Sequence, residues 1–160
     1  DEFCLQMMRD YKEKEFKNIN SGDLGLETEE EKKAAEETAT ENKDLFEEIK
    51  KALNGKIKDV KVNPTLQEHP VTLSSEGGIS MEMEKVLRKM PNGEGVESTK
   101  VLELNPSHAV FAALNAAHEA GDTEKVGKYA ELLYDQALLI AGLPIEDPVA
   151  YAQLVCSLMQ

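Results

Sequence analysis

Asp122-Thr123-Glu124-Lys125-Val126-Gly127-Lys128-Tyr129-Ala130-Glu131-Leu132-Leu133-Tyr134-Asp135-Gln136-Ala137-Leu138-Leu139-Ile140-Ala141-Gly142 reads as one helix with apolar side chains on two sides. Asp122 supplies an N-cap and Gly142 a C-terminal stop. Val126, Ala130, Leu133, Ala137 and Ile140 recur at spacings of 4, 3, 4 and 3, a heptad-like strip, while Tyr129, Leu132 and Leu139 form a second strip. A helix apolar on two sides needs a neighbour on each. Its own domain fills one side, and a second copy of the chain is a natural occupant of the other. Asp147-Pro148 then opens a last helix to about Leu158, with Tyr151, Leu154, Val155 and Leu158 at i, i+3, i+4 and i+7. Two such helices from each of two chains make an intermolecular four-helix bundle. The competing reading is that both helices close a monomeric core, and periodicity alone does not choose between them.

Upstream, strand patterns occur at Ile57 to Val62, Val71 to Leu73 and Thr99 to Leu104, with Val60, Val62, Leu102 and Leu104 alternating with charge. A sheet with one wet face fits that alternation, and it needs helices over its other face. The expected fold class is therefore α+β, a small three-stranded sheet covered by helices. Asn105-Pro106 is expected to open a helix carrying Val110, Phe111 and Leu114. Thr28 and Glu31 make a capping box for a long helix running to about Leu53 and ending at Asn54-Gly55, polar in its first half and apolar in its second. Residues 1–11 are a further helix candidate, followed by a short extended piece over Glu15 to Asn20.

Between the second and third strands lies Gly77-Gly78-Ile79-Ser80-Met81-Glu82-Met83-Glu84-Lys85-Val86-Leu87-Arg88-Lys89-Met90-Pro91-Asn92-Gly93-Glu94-Gly95. Ile79, Met83, Val86, Leu87 and Met90 share one helical face, with Glu82, Glu84, Lys85, Arg88 and Lys89 over the rest. Glycines on both sides loosen the connections, and methionine gives an apolar surface that adapts to differently shaped partners. Such a helix is either a grip for other proteins or an ordinary core helix.

Composition narrows the function. Eighteen Lys and Arg against 31 Asp and Glu give a net charge of −13, which repels phosphate backbones and anionic lipid. No nucleic-acid or membrane partner is expected. No apolar run approaches the roughly 18–20 residues of a membrane span. Cys4 and Cys156 stand far apart without CxxC spacing, which suits a reducing, cytoplasmic setting. The chain begins without Met, in what reads as mid-helix, so a segment of a longer protein is expected. Phosphate-binding, metalloprotease and nucleophile-elbow motifs are absent, and His69, His108 and His118 lack ligand-like spacing. A carboxylate-rich metal enzyme has little support; a binding and assembly module that is not an enzyme fits better.

Glu-Leu-Asn-Pro-Ser-His (103–108), Glu-Leu-Leu-Tyr-Asp-Gln-Ala-Leu-Leu (131–139), Ile-Glu-Asp-Pro (145–148), Met83-Glu84-Lys85, His69-Pro70 and Lys58-Asp59-Val60-Lys61-Val62 occur in that family's order, so nearly the whole chain resembles the end of the heat shock protein 90 family in its bacterial form. The resemblance implies a molecular chaperone whose N-terminal domain binds and hydrolyses ATP and whose C-terminal domain holds two protomers together. Residues 1–26 then correspond to the tail of the middle domain and 27–160 to the C-terminal dimerisation domain. It implies a homodimer through helices at about 123–141 and 147–159, using Val126, Tyr129, Leu133, Ala137 and Ile140 with Tyr151, Leu154, Val155 and Leu158. It implies a client-binding helix at about 79–90, presenting Ile79, Met83, Val86 and Leu87, with Met90 on the same face, to non-native proteins. The family's second client patch, a Glu-Trp-x-x-Asn phrase, corresponds to Glu2, Phe3 and Gln6, with the indole donor lost and the amide one methylene longer. No cofactor is expected in this segment; ATP and Mg belong to the full-length protein. Eukaryotic cytosolic members end in an acidic tail that recruits co-chaperones with helical repeats. This sequence ends Cys156-Ser157-Leu158-Met159-Gln160, so that partnership is not expected. The alternative is a purely structural dimerisation domain in which 79–90 packs on its own sheet.

Overall fold

The computed structural model describes the chain except for residues 1–3, 5–6, 9, 17–27, 92–94 and 160, and describes Glu15 by its backbone alone. Cys4, Met7 and Met8 are helical, but the helix expected through residue 11 yields at Asp10 to a small hairpin, β1 (Asp10–Tyr11) against β2 (Lys14–Glu15). Lys12 and Glu13 turn it at φ 51° and 64°, the paired left-handed geometry of a tight hairpin.

Thr28 starts α1 (Glu29–Glu41) as the capping box predicts: its hydroxyl accepts from the Glu31 amide at 3.2 Å, and the Glu31 carboxylate accepts from the Thr28 amide at 2.8 Å. No residue of α1 is fully buried, as its largely polar surface requires, and Ala39 alone among its hydrophobics packs partly against the core. The single helix expected to Leu53 is divided at Asn42, whose side-chain amide donates to the Thr38 carbonyl at 2.8 Å while its backbone amide shares that acceptor at 3.1 Å. Beyond the break, α2 (Lys43–Ala52) buries Leu45, Phe46 and Ile49, and the chain leaves it through Asn54 and Gly55 at φ 44° and 86°.

The sheet has the order β3 (Asp59–Val62), β5 (Thr99–Leu104), β4 (Val71–Glu76), with β3 parallel and β4 antiparallel to β5. Register sets Val60, Leu102 and Leu73 side by side on the face that meets the helices. On that face pack Leu45, Ile49 and Leu53, Phe111 and Leu114 of α4 (Ala109–Glu119), and Val126, Ala130, Leu133 and Ala137 of α5 (Thr123–Ile140). The other face departs from the expected wet surface. Val101 is fully buried, and Glu103 is buried with its carboxylate accepting from the Asn63 side chain at 2.7 Å. A central strand flanked on both edges loses its water even where the sequence alternates with charge.

Two helix starts differ in detail. Asn105 does not cap α4: it is buried, donates to the His69 carbonyl at 3.1 Å and accepts from the Ser107 amide at 3.0 Å, so it secures the preceding turn. His108 is the N-cap instead, its Nδ1 accepting from the Val110 amide at 3.2 Å. The last helix, α6 (Pro148–Leu158), starts as expected, with Asp147 accepting from the Val149 and Ala150 amides at 3.0 and 2.9 Å.

Candidate functional site

Two partly open apolar surfaces remain on this frame. The first belongs to α3 (Met81–Leu87), entered through Ile79 and capped by Ser80, whose hydroxyl accepts from the Met83 amide at 3.0 Å. The helix expected over 79–90 is thus shorter: Ile79 lies ahead of the cap, and after Leu87 the chain continues as turns, Lys89 to Val86 and Met90 to Leu87, before Pro91. The residues singled out as one stripe stay partly open. Ile79, Met83 and Leu87 are half-buried, while Val86 and Met90 are 44% and 49% exposed. What α3 buries is its opposite side, Met81 and Glu84.

Glu84, expected on the solvated surface, is 1% exposed. One carboxylate oxygen accepts from the Ser98 amide at 2.9 Å, the Ser98 hydroxyl at 2.7 Å and the Lys100 ammonium at 3.0 Å. The other meets Arg88 at 3.0 Å, and Arg88 reaches on to Glu97 at 3.2 Å. Burial pushes the Glu84 carboxyl up, yet the Ser98 and Lys100 donors together outweigh it and hold the group below the usual carboxylate value. A signal for this was present in the sequence: Lys100 stands two and four residues before Leu102 and Leu104, which puts a cation on the core face of β5, where it needs an anionic partner.

The second surface is made by α5 and α6. Val126, Leu133 and Ala137, offered by their spacing to a partner chain, lie within this chain's own core, because α5 packs on β4, α2 and α4. Within the protomer those three side chains are core residues. Tyr129 is half-buried against that core, and Ile140 is 45% exposed beside Leu139 at 52%. On α6, Tyr151, Leu154, Val155 and Leu158 are half-buried, Val149 is 67% exposed, and no residue is buried. Its sequence contains no charged side chain. Glu2, Phe3 and Gln6 lie outside the described residues.

The histidines serve local structure. His108 caps α4, the His69 carbonyl receives Asn105, and His118 sits 2.6 Å from Glu48, joining α4 to α2. Near α3, Lys56 lies 5.7 Å from the Tyr134 ring, and burial, reinforced by Glu146, pushes the Tyr134 phenol up to about 12.

The profile of the family described as Hsp90 protein matches residues 1–160. The chain is 52% identical over 159 residues to the chaperone protein HtpG of Halalkalibacterium halodurans, covering 99% of this chain and 25% of that protein. It is 51% identical over 160 residues to the chaperone protein HtpG of Clostridium botulinum, covering 100% of this chain and 25% of that one. Against the chaperone protein HtpG of Bacillus subtilis it is 49% identical over 159 residues, 99% of this chain and 25% of the relative. It therefore spans about a quarter of the length of these relatives. With the family profile matched from end to end, the chain belongs to the Hsp90 family.

Proposed function

We propose that residues 27–160 are the C-terminal dimerisation domain of an ATP-dependent chaperone, with 1–26 the end of its middle domain. Two protomers join through α5 and α6 in a four-helix bundle, and non-native clients are held on the apolar residues of 79–90, with Glu2, Phe3 and Gln6 as a second patch. The single observation that carries this reading is α6, an uncharged helix with no buried residue, continued by Leu139 and Ile140. An uncharged helix with apolar residues on more than one side gains from cover on more than one side, and here the protomer covers it chiefly through α5. Fully covering an apolar side chain contributes roughly 1.5–3 kcal/mol, so a second copy seated on α6 has much to gain. The same arithmetic makes the open part of 79–90 a modest grip, suited to clients that must leave. The net charge of −13 disfavours acidic clients.

Nucleotide and Mg are assigned to parts of the full-length protein outside these 160 residues. The setting is assigned as cytoplasmic. In the second reading, a structural dimerisation domain whose 79–90 segment packs on its own sheet, the buried Met81 and Glu84 count in favour.

Two double variants decide. Leu154→Asp with Leu158→Asp is expected to halve the mass measured by light scattering while leaving the circular dichroism spectrum intact; a persistent dimer overturns the interface. Met83→Ser with Leu87→Ser is expected to weaken aggregation suppression by the full-length protein without changing its mass. Unchanged suppression favours the structural reading.

A further inference from the structure

A seven-residue helix does not hold itself together in water, because nucleation consumes most of what its few hydrogen bonds provide. The order of α3 therefore comes from what it touches, and it buries two side chains, Met81 and Glu84. The Glu84 node ties the helix at 2.7–3.0 Å to Ser98 and Lys100, at the far end of the same excursion and the first turn of β5. Arg88 closes the excursion on itself, donating to the Val96 carbonyl at 3.3 Å as well as to Glu84 and Glu97. At either end the chain passes through glycine in the left-handed region, Gly77 at φ 97° and Gly95 at φ 88°, with open space around both. Glu84 and Arg88 line a cavity of about 120 Å³ whose far wall holds Tyr134, Leu138, Leu143 and Pro144 and whose remaining wall is charged, so α3 is not close-packed there. The Lys85 ammonium rests against Gly142, 3.3 Å from where a β-carbon would stand, on the connection that leads to α6.

The geometry points to a latched strap: the Glu84–Lys100–Ser98 node holds α3 down beside the cavity, and rupture of that node frees α3 while the sheet and α5 stay folded. A buried ion pair suits this task because it is nearly all-or-none. Intact, every partner is satisfied; with one partner withdrawn, a desolvated charge is left alone and the helix leaves with it. Release turns out Met81 and uncovers Leu138 and Leu143, adding apolar area to Met83, Val86 and Met90. In the docked state the strap thus limits its own apolar surface. The use of the latch rests on the reading of 79–90 as the client grip; its mechanics do not.

Hydrogen exchange on the full-length dimer tests it. Glu84→Gln is expected to raise exchange across 81–88 by about tenfold or more, with 99–104 and 123–140 at parental rates. Because Lys100 is then an orphaned charge in β5, a second variant, Glu84→Gln with Lys100→Met, removes the orphaned charge together with the node. It is expected to keep 81–88 exchanging at least about tenfold faster than the parent while 99–104 stays at parental rates, and parental protection over 81–88 in this variant overturns the latch. Parental exchange over 81–88 in the single variant overturns the latch. So does loss of protection spreading through 99–104 in the double variant, which makes the node a support of the sheet. Suppression of heat-induced citrate synthase aggregation is measured alongside. Stronger suppression by Glu84→Gln joins the latch to client holding, whereas local opening with unchanged suppression keeps the latch and removes the client reading.

Discussion

Glu76 shows how much one side chain does on the thin sheet. Its two carboxylate oxygens accept from Lys58 and Lys61 at 2.7 Å each. The register makes Glu76 and Lys61 a diagonal across β5, so this bridge lies over Val101, which is fully buried on the face the sequence marks as wet. The Lys58 and then the Lys61 hydrogen bonds pull the Glu76 carboxyl from 4.5 down to about 2. A carboxyl depressed on folding stabilises above its unfolded value and loses that contribution as pH falls toward the folded one. Glu76→Gln is therefore expected to lower stability at pH 7 by on the order of 1 kcal/mol, given its partial exposure. The deficit should shrink between about pH 4.5 and 2, which urea midpoints for parent and variant in a pH series would read out. A deficit independent of pH would assign the effect to packing over Val101 and not to charge. Residue-scale chemistry of this kind escapes a pattern reading, because Glu76, Lys58 and Lys61 are neighbours only through the sheet.

At the scale of elements, what the sequence discloses is what is settled within a few residues. Thr28, Asp122 and Asp147 cap their helices as expected, since a cap is a contact between a side chain and amides two or three positions on. The apolar half of α2 and all three strands were likewise legible from spacing. Misreadings arise where a non-local partner decides. Glu84 reads as solvated until Lys100 is brought beneath it; Val126, Leu133 and Ala137 read as a seam for a partner until β4, α2 and α4 claim that side of α5. The Asn42 break and the early end of α3 are local, yet they turn on a side-chain amide competing for one carbonyl and on a proline four residues downstream. The two sides of α5 are separable by experiment. Leu133→Ala, at 2% exposure, is expected to cost about 2–5 kcal/mol of unfolding free energy. In the Leu154→Asp, Leu158→Asp monomer, Leu139→Ala, at 52% exposure, should leave the fold within about 0.5 kcal/mol. Equal costs in denaturant titrations would mean that α5 has no open side.

For the whole molecule, charge and apolar surface oppose each other. Each copy of the chain carries −13, and the helix proposed to meet its twin carries no charge at all. Bringing two copies together thus adds long-range repulsion without forming ion pairs across α6. Salt screens the repulsion, with a Debye length of about 10 Å at 0.1 M and 3 Å at 1 M, and leaves apolar burial in place. The dimer of this 160-residue chain is therefore expected to tighten with salt, opposite in sign to an assembly held by bridges between acid and base. Mass action adds a companion effect: with folding and association linked, the thermal midpoint rises with protein concentration, and rises less in Leu154→Asp with Leu158→Asp. Sedimentation equilibrium from 0.02 to 0.5 M NaCl gives the first measurement and calorimetry across a hundredfold concentration range the second. An association that weakens with salt would move the contact off α6 and onto the charged ends of the molecule, and with it the proposed bundle.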